Sequence, residues 1–294
     1  MNEMSLATAK AKIKDHTRGD KTPLITVVTP CLNSIQTIAD NLKSVIDARR
    51  ELNTNGWELE HIIVEGGSSD GTLELITGHI ARHTFCKSLS GITGGPYPAM
   101  NAGLKQSSGI FTHVLNADDY IMNTRAYADL IIRGKYLNAE AMICSIAYLR
   151  RPKNKITRLW IVEETGDESY KWQLKLQKGL HYPHPGFIAR TKRYRAELFD
   201  ECYTLSADYK LMQNILIGLN STNDVLVETI PVVAMAEGGA TSSWGGRIEG
   251  WRQLNSINRE LGIKALPHIR YFEKIKQILR TRRKKELIKR PNEE

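Results

Sequence analysis

Hydrophobic and polar positions switch between two periods along the first half of the chain. "PLITVVT" (23–29) is a short, β-branched, apolar run and predicts a buried strand. The segment after it, "IADNLKSVIDARR", sets Ile38, Leu42, Val45 and Ile46 at helical spacing. The exchange then repeats. "LEHIIVE" (59–65) predicts a strand, "TLELITGHIARH" (72–83) a helix opened by Thr72, and "TFCKSL" (84–89) a weaker strand. Glycine and proline make "SGITGGPYP" (90–98) a loop before a short helix, "AMNAGLKQS" (99–107). "IFTHVLN" (110–116), "TRAYADLIIRGKYL" (124–137) and "AMICSIAYL" (141–149) read as strand, helix and strand.

Strands alternating with helices from Leu24 to Leu149 imply βαβ crossovers and a parallel sheet. Past residue 150 the pattern breaks. "RRPKNKITR" (150–158) reads as a basic loop, "HYPHPGFIAR" (181–190) as a turn entering a strand, and "SADYKLMQNILIGL" (206–219) as an amphipathic helix. "EGGATSSWGG" (237–246) is a Gly/Ser loop, and two helices, near 247–261 and 267–290, close the chain. The expected organisation is a lead-in over 1–22, an α/β domain over 23–246 and basic helices over 247–294.

Composition changes this picture in two places. The chain of 294 residues, 41% hydrophobic, can bury a proper core, and no apolar run reaches membrane-spanning length. Its polar first twenty residues lack the apolar stretch of a secretory signal. The net charge of +9 is concentrated: residues 264–290 hold eleven Lys or Arg against two Glu. There Ile269, Phe272, Ile275, Ile278 and Leu279 share one helical face. Such a cationic amphipathic helix suits an anionic membrane surface, or packs its apolar side on the domain. Nucleic acid is not expected, because the body of the chain is not basic. Cys31, Cys86, Cys144 and Cys202 form no CxxC pair, so a zinc site is not expected and a reducing, cytoplasmic compartment fits.

Candidate chemistry gathers where predicted strands end. Ligands of open α/β sheets sit outside the carboxyl ends of the strands, and three such ends here are polar. "TPCLN" follows the first strand, "EGGSSDG" the second and "NADD" the fourth. Adjacent acids at a strand tip suit a hard divalent cation carrying phosphate, but taken alone they suit a helix cap or Asx turn better. In "EGGSSDGT" the glycines allow close backbone approach, and an acid at the tip, Glu65, can accept from a base N–H or a ribose hydroxyl.

"ITVVTPCLN", "IIVEGGSSDGT", "AMNAGLKQSSGIFTHVLNADDYI" and "HPGFIAR", in this order and spacing, resemble the family 2 glycosyltransferases over residues 23–240. The likeness is greatest to bacterial members that build exopolysaccharides and O-antigens. It implies a GT-A fold, Rossmann-like with a mostly parallel central sheet, and a helical C-terminal extension. It also implies an inverting transferase that uses a nucleotide-diphosphate sugar, UDP-linked, with Mn²⁺ or Mg²⁺. By the resemblance Thr29, Pro30 and Asn33 line the nucleotide pocket and Glu65 stands where the family has Asp. Ser68 and Asp70 shape that loop, and Met100, Asn101 and Gly103 lie under the sugar nucleotide. Asn116, Ala117 and Asp118 match the DxD motif, leaving Asp118 as the metal ligand with Asp119 behind it. Asp208 matches the catalytic base, although without the resemblance it reads better as an N-cap of the helix that follows.

Departures from the family pattern fall at Glu65, at Asn116 and at Pro98, where many relatives have Asp. His184, Gly238 and Gly239 are expected near acceptor or diphosphate, while a structural histidine and a tight turn explain them as well. Trp244 and Trp251 are expected to pack in the core, with stacking on a sugar as the alternative. The acceptor implied is a glycan or a polyprenyl-linked glycan at the inner face of the plasma membrane. A nucleotidyltransferase would also place acids at strand tips, but "TPCLNSIQ" lacks a triphosphate loop. A membrane-associated scaffold with a transferase-like fold is the non-enzyme alternative.

Overall fold

Every residue of the first strand, β1 (Ile25–Cys31), is buried, as its unbroken apolar run predicts. The computed structural model describes residues 22–151, 154–162, 176–179, 181–219, 224–238, 244–265, 275 and 279. β1 pairs in parallel with β2 (Leu59–Glu65) on one side and with β4 (Phe111–Val114) on the other. β2 pairs in parallel with β3 (Cys86–Ser90). The helices between them are α1 (Ile38–Thr54), α2 (Thr72–Ile80) and α3 (Pro96–Gln106).

α3 starts three residues earlier than expected. Pro96 and Pro98 fall in its first turn, where a missing N–H costs no hydrogen bond. Gly103 lets this helix lie directly on the sheet: an added Cβ would stand 2.3 Å from Val28 Cγ1 and 3.2 Å from Val64 Cγ2.

The second half departs from a purely parallel sheet. β5 (Tyr120–Ile121) and α4 (Thr124–Tyr136) lead to β6 (Ala141–Arg150). The expected basic loop instead folds back as β7 (Lys155–Trp160), antiparallel to β6. β8 (Phe187–Arg190) inserts antiparallel between β4 and β6, and β9 (Val225–Ala236) pairs in parallel with β6 and antiparallel with β5. The spatial order is β3-β2-β1-β4-β8-β6-β9-β5, with β7 also on β6. Helices α5 (Thr191–Glu197), α6 (Ala207–Ile217) and α7 (Trp244–Glu260) follow β8 and β9.

Both faces of the sheet are covered. α1 and α4 bury Val45, Leu52, Tyr127 and Ile131 on one side. Met100, Leu104, Met212 and Ile215, from α3 and α6, fill the other. Of the predicted second closing helix only Ile275 and Leu279 are among the described residues, both helical and exposed; Ile269, Phe272 and Ile278 lie outside them.

Candidate active site

β1, β2 and β4 run in parallel, so the loops that follow them share one rim. At the end of β4 the acids of "NADD" have separate fates. Asp119 is buried, accepts the Ala236 N–H at 3.0 Å through Oδ1 and faces the Asn116 amide at 3.4 Å through Oδ2. It ties β9 to the turn. Asp118 is half-buried, and its carboxylate accepts from no side chain of the described residues. Burial raises both acids above their ordinary value, and Asp119, fully buried, is raised well above it, with the neighbouring Asp118 charge adding to the rise; Arg151 opposes it. The Arg151 guanidinium donates to the Asp118 carbonyl at 3.3 Å and to Asp40 at 2.9 Å, and its buried Nε has no hydrogen-bond partner. The turn itself hangs on α1. Asn41, fully buried, donates to the carbonyls of Asn116 and Asp119 at 2.9 and 3.0 Å, and the Ile121 N–H donates to Ser44.

The loops after β1 and β2 are laced to each other. Asn33 sits at φ 49° and donates its N–H to Ser68 Oγ at 2.8 Å, while its side-chain oxygen accepts the Ser69 N–H. Asp70 accepts the Ile35 N–H at 3.0 Å and both the N–H and the hydroxyl of Thr72. Glu65 is 1% exposed and folds its own loop, accepting the N–H groups of Gly67 and Ser68 at 2.9 and 2.6 Å. Burial works to raise its carboxyl, but the Ser68 and Gly67 hydrogen bonds prevail and hold it below the usual range. Asn33, Glu65, Ser68 and Asp70 thus form one loop platform, and Pro30, near the end of β1, is buried.

A third group reaches the rim from later elements. Tyr97, in the first turn of α3, donates its hydroxyl to Asp208 Oδ1 at 3.3 Å and stacks on Phe199 with centroids 5.4 Å apart. Asp208 lies in the first turn of α6, where the helix N-terminus favours a carboxylate; Ser206 occupies the cap position. His184 packs edge-on against Phe199, 5.7 Å away, in the short turn His184–Gly186 before β8. It is 8% exposed, and its buried Nε2 has no hydrogen-bond partner. Burial pushes the imidazole below its ordinary value against the pull of the Asp208 charge. That turn is pinned to β4: His113 Nε2 meets the Pro185 carbonyl at 2.9 Å, and Nδ1 meets the Tyr127 hydroxyl.

Some residues expected in the pocket face inward. Thr29 is fully buried, bonded to Asn41 and His61, and Met100 sits in the core. Asn101 clasps the segment before α6: its amide donates to Phe199 O and Glu201, and its oxygen accepts the Phe199 N–H, each at 2.8 Å. Ala117 is buried in the NADD turn. Gly238 has left-handed backbone at φ 109°, and Gly239 lies outside the described residues. Trp244 and Trp251 are 80% and 57% exposed, so the expected core packing does not occur. Sequence reasoning missed Asn41, Tyr97, His113 and Arg151. Only Asn41 left a signal, as a polar residue within the apolar stripe of α1.

Helices on both faces of a mostly parallel sheet, with polar loops on its carboxyl rim, define a GT-A type α/β transferase fold. The family model described as "Glycosyl transferase family 2" matches residues 26–202, more than half of the chain, so the chain belongs to glycosyltransferase family 2. It is 33% identical over 97 residues to the poly-beta-1,6-N-acetyl-D-glucosamine synthase of Staphylococcus epidermidis, covering 33% of this chain and 22% of the synthase. An uncharacterized glycosyltransferase of Haemophilus influenzae matches at 29% over 104 residues, 35% of this chain and 39% of that one. The match thus spans less than half the length of these curated relatives.

Among solved structures, S. aureus TarS 1–349 in complex with UDP-GlcNAc superposes with a TM-score of 0.59 at 17% identity. The superposition covers 79% of this chain and 66% of TarS 1–349. The mannosyltransferase PcManGT from Pyrobaculum calidifontis, in complex with GDP-Man and Mn²⁺, gives 0.56 at 16% identity over 94% and 76%. At such identities the likeness is one of fold. Among the described residues no helix is long and apolar enough to cross a membrane.

Proposed function

We propose that this glycosyltransferase moves a sugar, with inversion, from a UDP-linked donor to a glycan or polyprenyl-linked glycan. The reading rests on the division of labour at the end of β4. Asp119 is consumed by Ala236 and Asn116, while Asp118 keeps a half-buried carboxylate directed to no side chain of the described residues. Two raised acids side by side suit a hard dication, which relieves their repulsion. Asp118 would hold Mn²⁺ or Mg²⁺, whose chemistry is Lewis-acid neutralisation of the leaving diphosphate. PcManGT's complex with GDP-Man and Mn²⁺ supports the cation, and TarS's complex with UDP-GlcNAc supports a nucleotide-sugar donor.

The protein's own groups supply the rest. Asn33, Glu65, Ser68 and Asp70 provide a preorganised platform for the nucleoside. Arg151, with its unpartnered Nε, offers positive charge beside the diphosphate. Asp208, oriented by the Tyr97 hydroxyl, takes the proton of the attacking acceptor hydroxyl. His184, whose buried Nε2 has no hydrogen-bond partner, is assigned to the diphosphate or acceptor. Trp244, Ile248 and Trp251 stand exposed on successive turns of α7 and provide an apolar face for an anionic membrane surface; the basic segment follows that helix in sequence.

Release of nucleoside diphosphate in the presence of Mn²⁺, across a panel of nucleotide sugars, tests the reading. Asp118→Asn is expected to abolish release with the fold intact. Asp208→Asn should lower kcat by about 10²–10⁴-fold. Release that is unchanged in Asp118→Asn would refute the cation role.

A further inference from the structure

The structure brings together three side chains that the sequence scatters. His61 on β2, His79 on α2 and Cys86 at the start of β3 are buried, and one ligand atom from each lies within 4.8 Å of the others. Cys86 Sγ is 3.5 Å from His79 Nε2 and 3.8 Å from His61 Nδ1. Zn–S near 2.3 Å and Zn–N near 2.0–2.1 Å give a tetrahedral S···N edge of about 3.6 Å. The two observed separations bracket that edge.

Hydrogen bonding fixes which His61 nitrogen carries the proton. Asn41 Nδ2 meets two carbonyls, Asn116 O and Asp119 O, so this atom is the amide nitrogen and Oδ1 is an acceptor. The Thr29 hydroxyl gives its proton to that Oδ1 at 3.3 Å. Thr29 Oγ1 therefore accepts from His61, whose Nε2 lies 3.0 Å away and carries the ring proton. His61 Nδ1 is left as a bare lone pair facing Cys86. A metal-ligating histidine held through its other nitrogen by a hydrogen bond is the usual arrangement.

We propose that His61, His79 and Cys86 bind one zinc-class cation, structural in role and separate from the cation of the transferase site. His61 precedes Glu65 by four residues, so the cluster lies about 13 Å down the strand from the rim. Two neutral imidazoles and one thiolate supply three ligands; binding breaks the Cys86 S–H bond, and the proton leaves to solvent as the Zn–S bond forms. The fourth position falls to water. The cation would join β2, α2 and β3, and through Thr29 and Asn41 it would brace the NADD turn.

The test uses the full chain, free of any histidine tag, purified from zinc-supplemented medium and dialysed against metal-free buffer. One zinc per chain is expected. X-ray absorption should show one sulfur near 2.3 Å and nitrogens near 2.0–2.1 Å. Zinc should survive in Asp118→Asn and be lost in Cys86→Ser and His79→Ala. The absorption spectrum of the unmutated chain decides the matter even if those variants fail to fold. Protein that retains no zinc, or zinc with only oxygen and nitrogen neighbours, overturns the proposal, as does loss of zinc in Asp118→Asn.

Discussion

Asn41 has no solvent exposure, yet its amide group serves a single turn: two donors hold the Asn116 and Asp119 carbonyls, and its oxygen takes the Thr29 proton. Asn41→Ala should cost about 1–3 kcal/mol for each buried group left unpaired. It should also weaken Mn²⁺ binding although Asn41 is no ligand. Chemical unfolding and Mn²⁺ titration measure the two effects, and unchanged values in both would contradict the bracing role. His113 carries a different prediction. Burial pulls it down to about 4, with the Pro185 carbonyl opposing and His184 assisting. Since the folded value lies below the ordinary 6.5, the unfolded chain takes up the proton first as pH falls. Its stabilising contribution is therefore whole above about 6.5 and declines toward about 4. An NMR titration should find His113 neutral at pH 5; an imidazolium there would contradict its burial.

Elements were legible where local pattern and tertiary role agree. β2 spans Leu59–Glu65, as its apolar run predicts, and α4 ends one residue short of expectation. β9 was unread because Pro231 interrupts it; the pairing with β6 shifts register around Ser145 and Pro231 and absorbs the proline at that irregularity. β7 was unread because its lysine and arginine fit an edge strand and a basic loop equally. β8's place between β4 and β6 is a non-local pairing with no mark in its own residues. In the same way the rim acids and loops stood out in sequence, while Thr29 and Asn101 carry pocket-like motifs but spend their side chains inside. At this scale Gly103→Ala is the sharpest probe. Its Cβ would collide with Val28, an overpacking of about 1–3 kcal/mol. Val28→Ala in the same chain should return part of the loss in urea unfolding. A Gly103→Ala protein as stable as the parent would deny the close contact of α3 with the sheet.

Taken whole, the molecule gathers its polar loops at the carboxyl ends of β1, β2 and β4, where the proposal puts the transferase site, and exposes an apolar and aromatic face on α7. Co-sedimentation with anionic vesicles should decrease in Trp244→Ala/Trp251→Ala and with rising salt. Binding that ignores both would remove the membrane from the account. The central claim, however, is the cation at Asp118. Crystals grown with Mn²⁺ and UDP should show an anomalous manganese peak joining an Asp118 carboxylate oxygen to the diphosphate, with Asp208 facing the same cleft. Manganese and diphosphate bound elsewhere, with Asp118 touching neither, would contradict it.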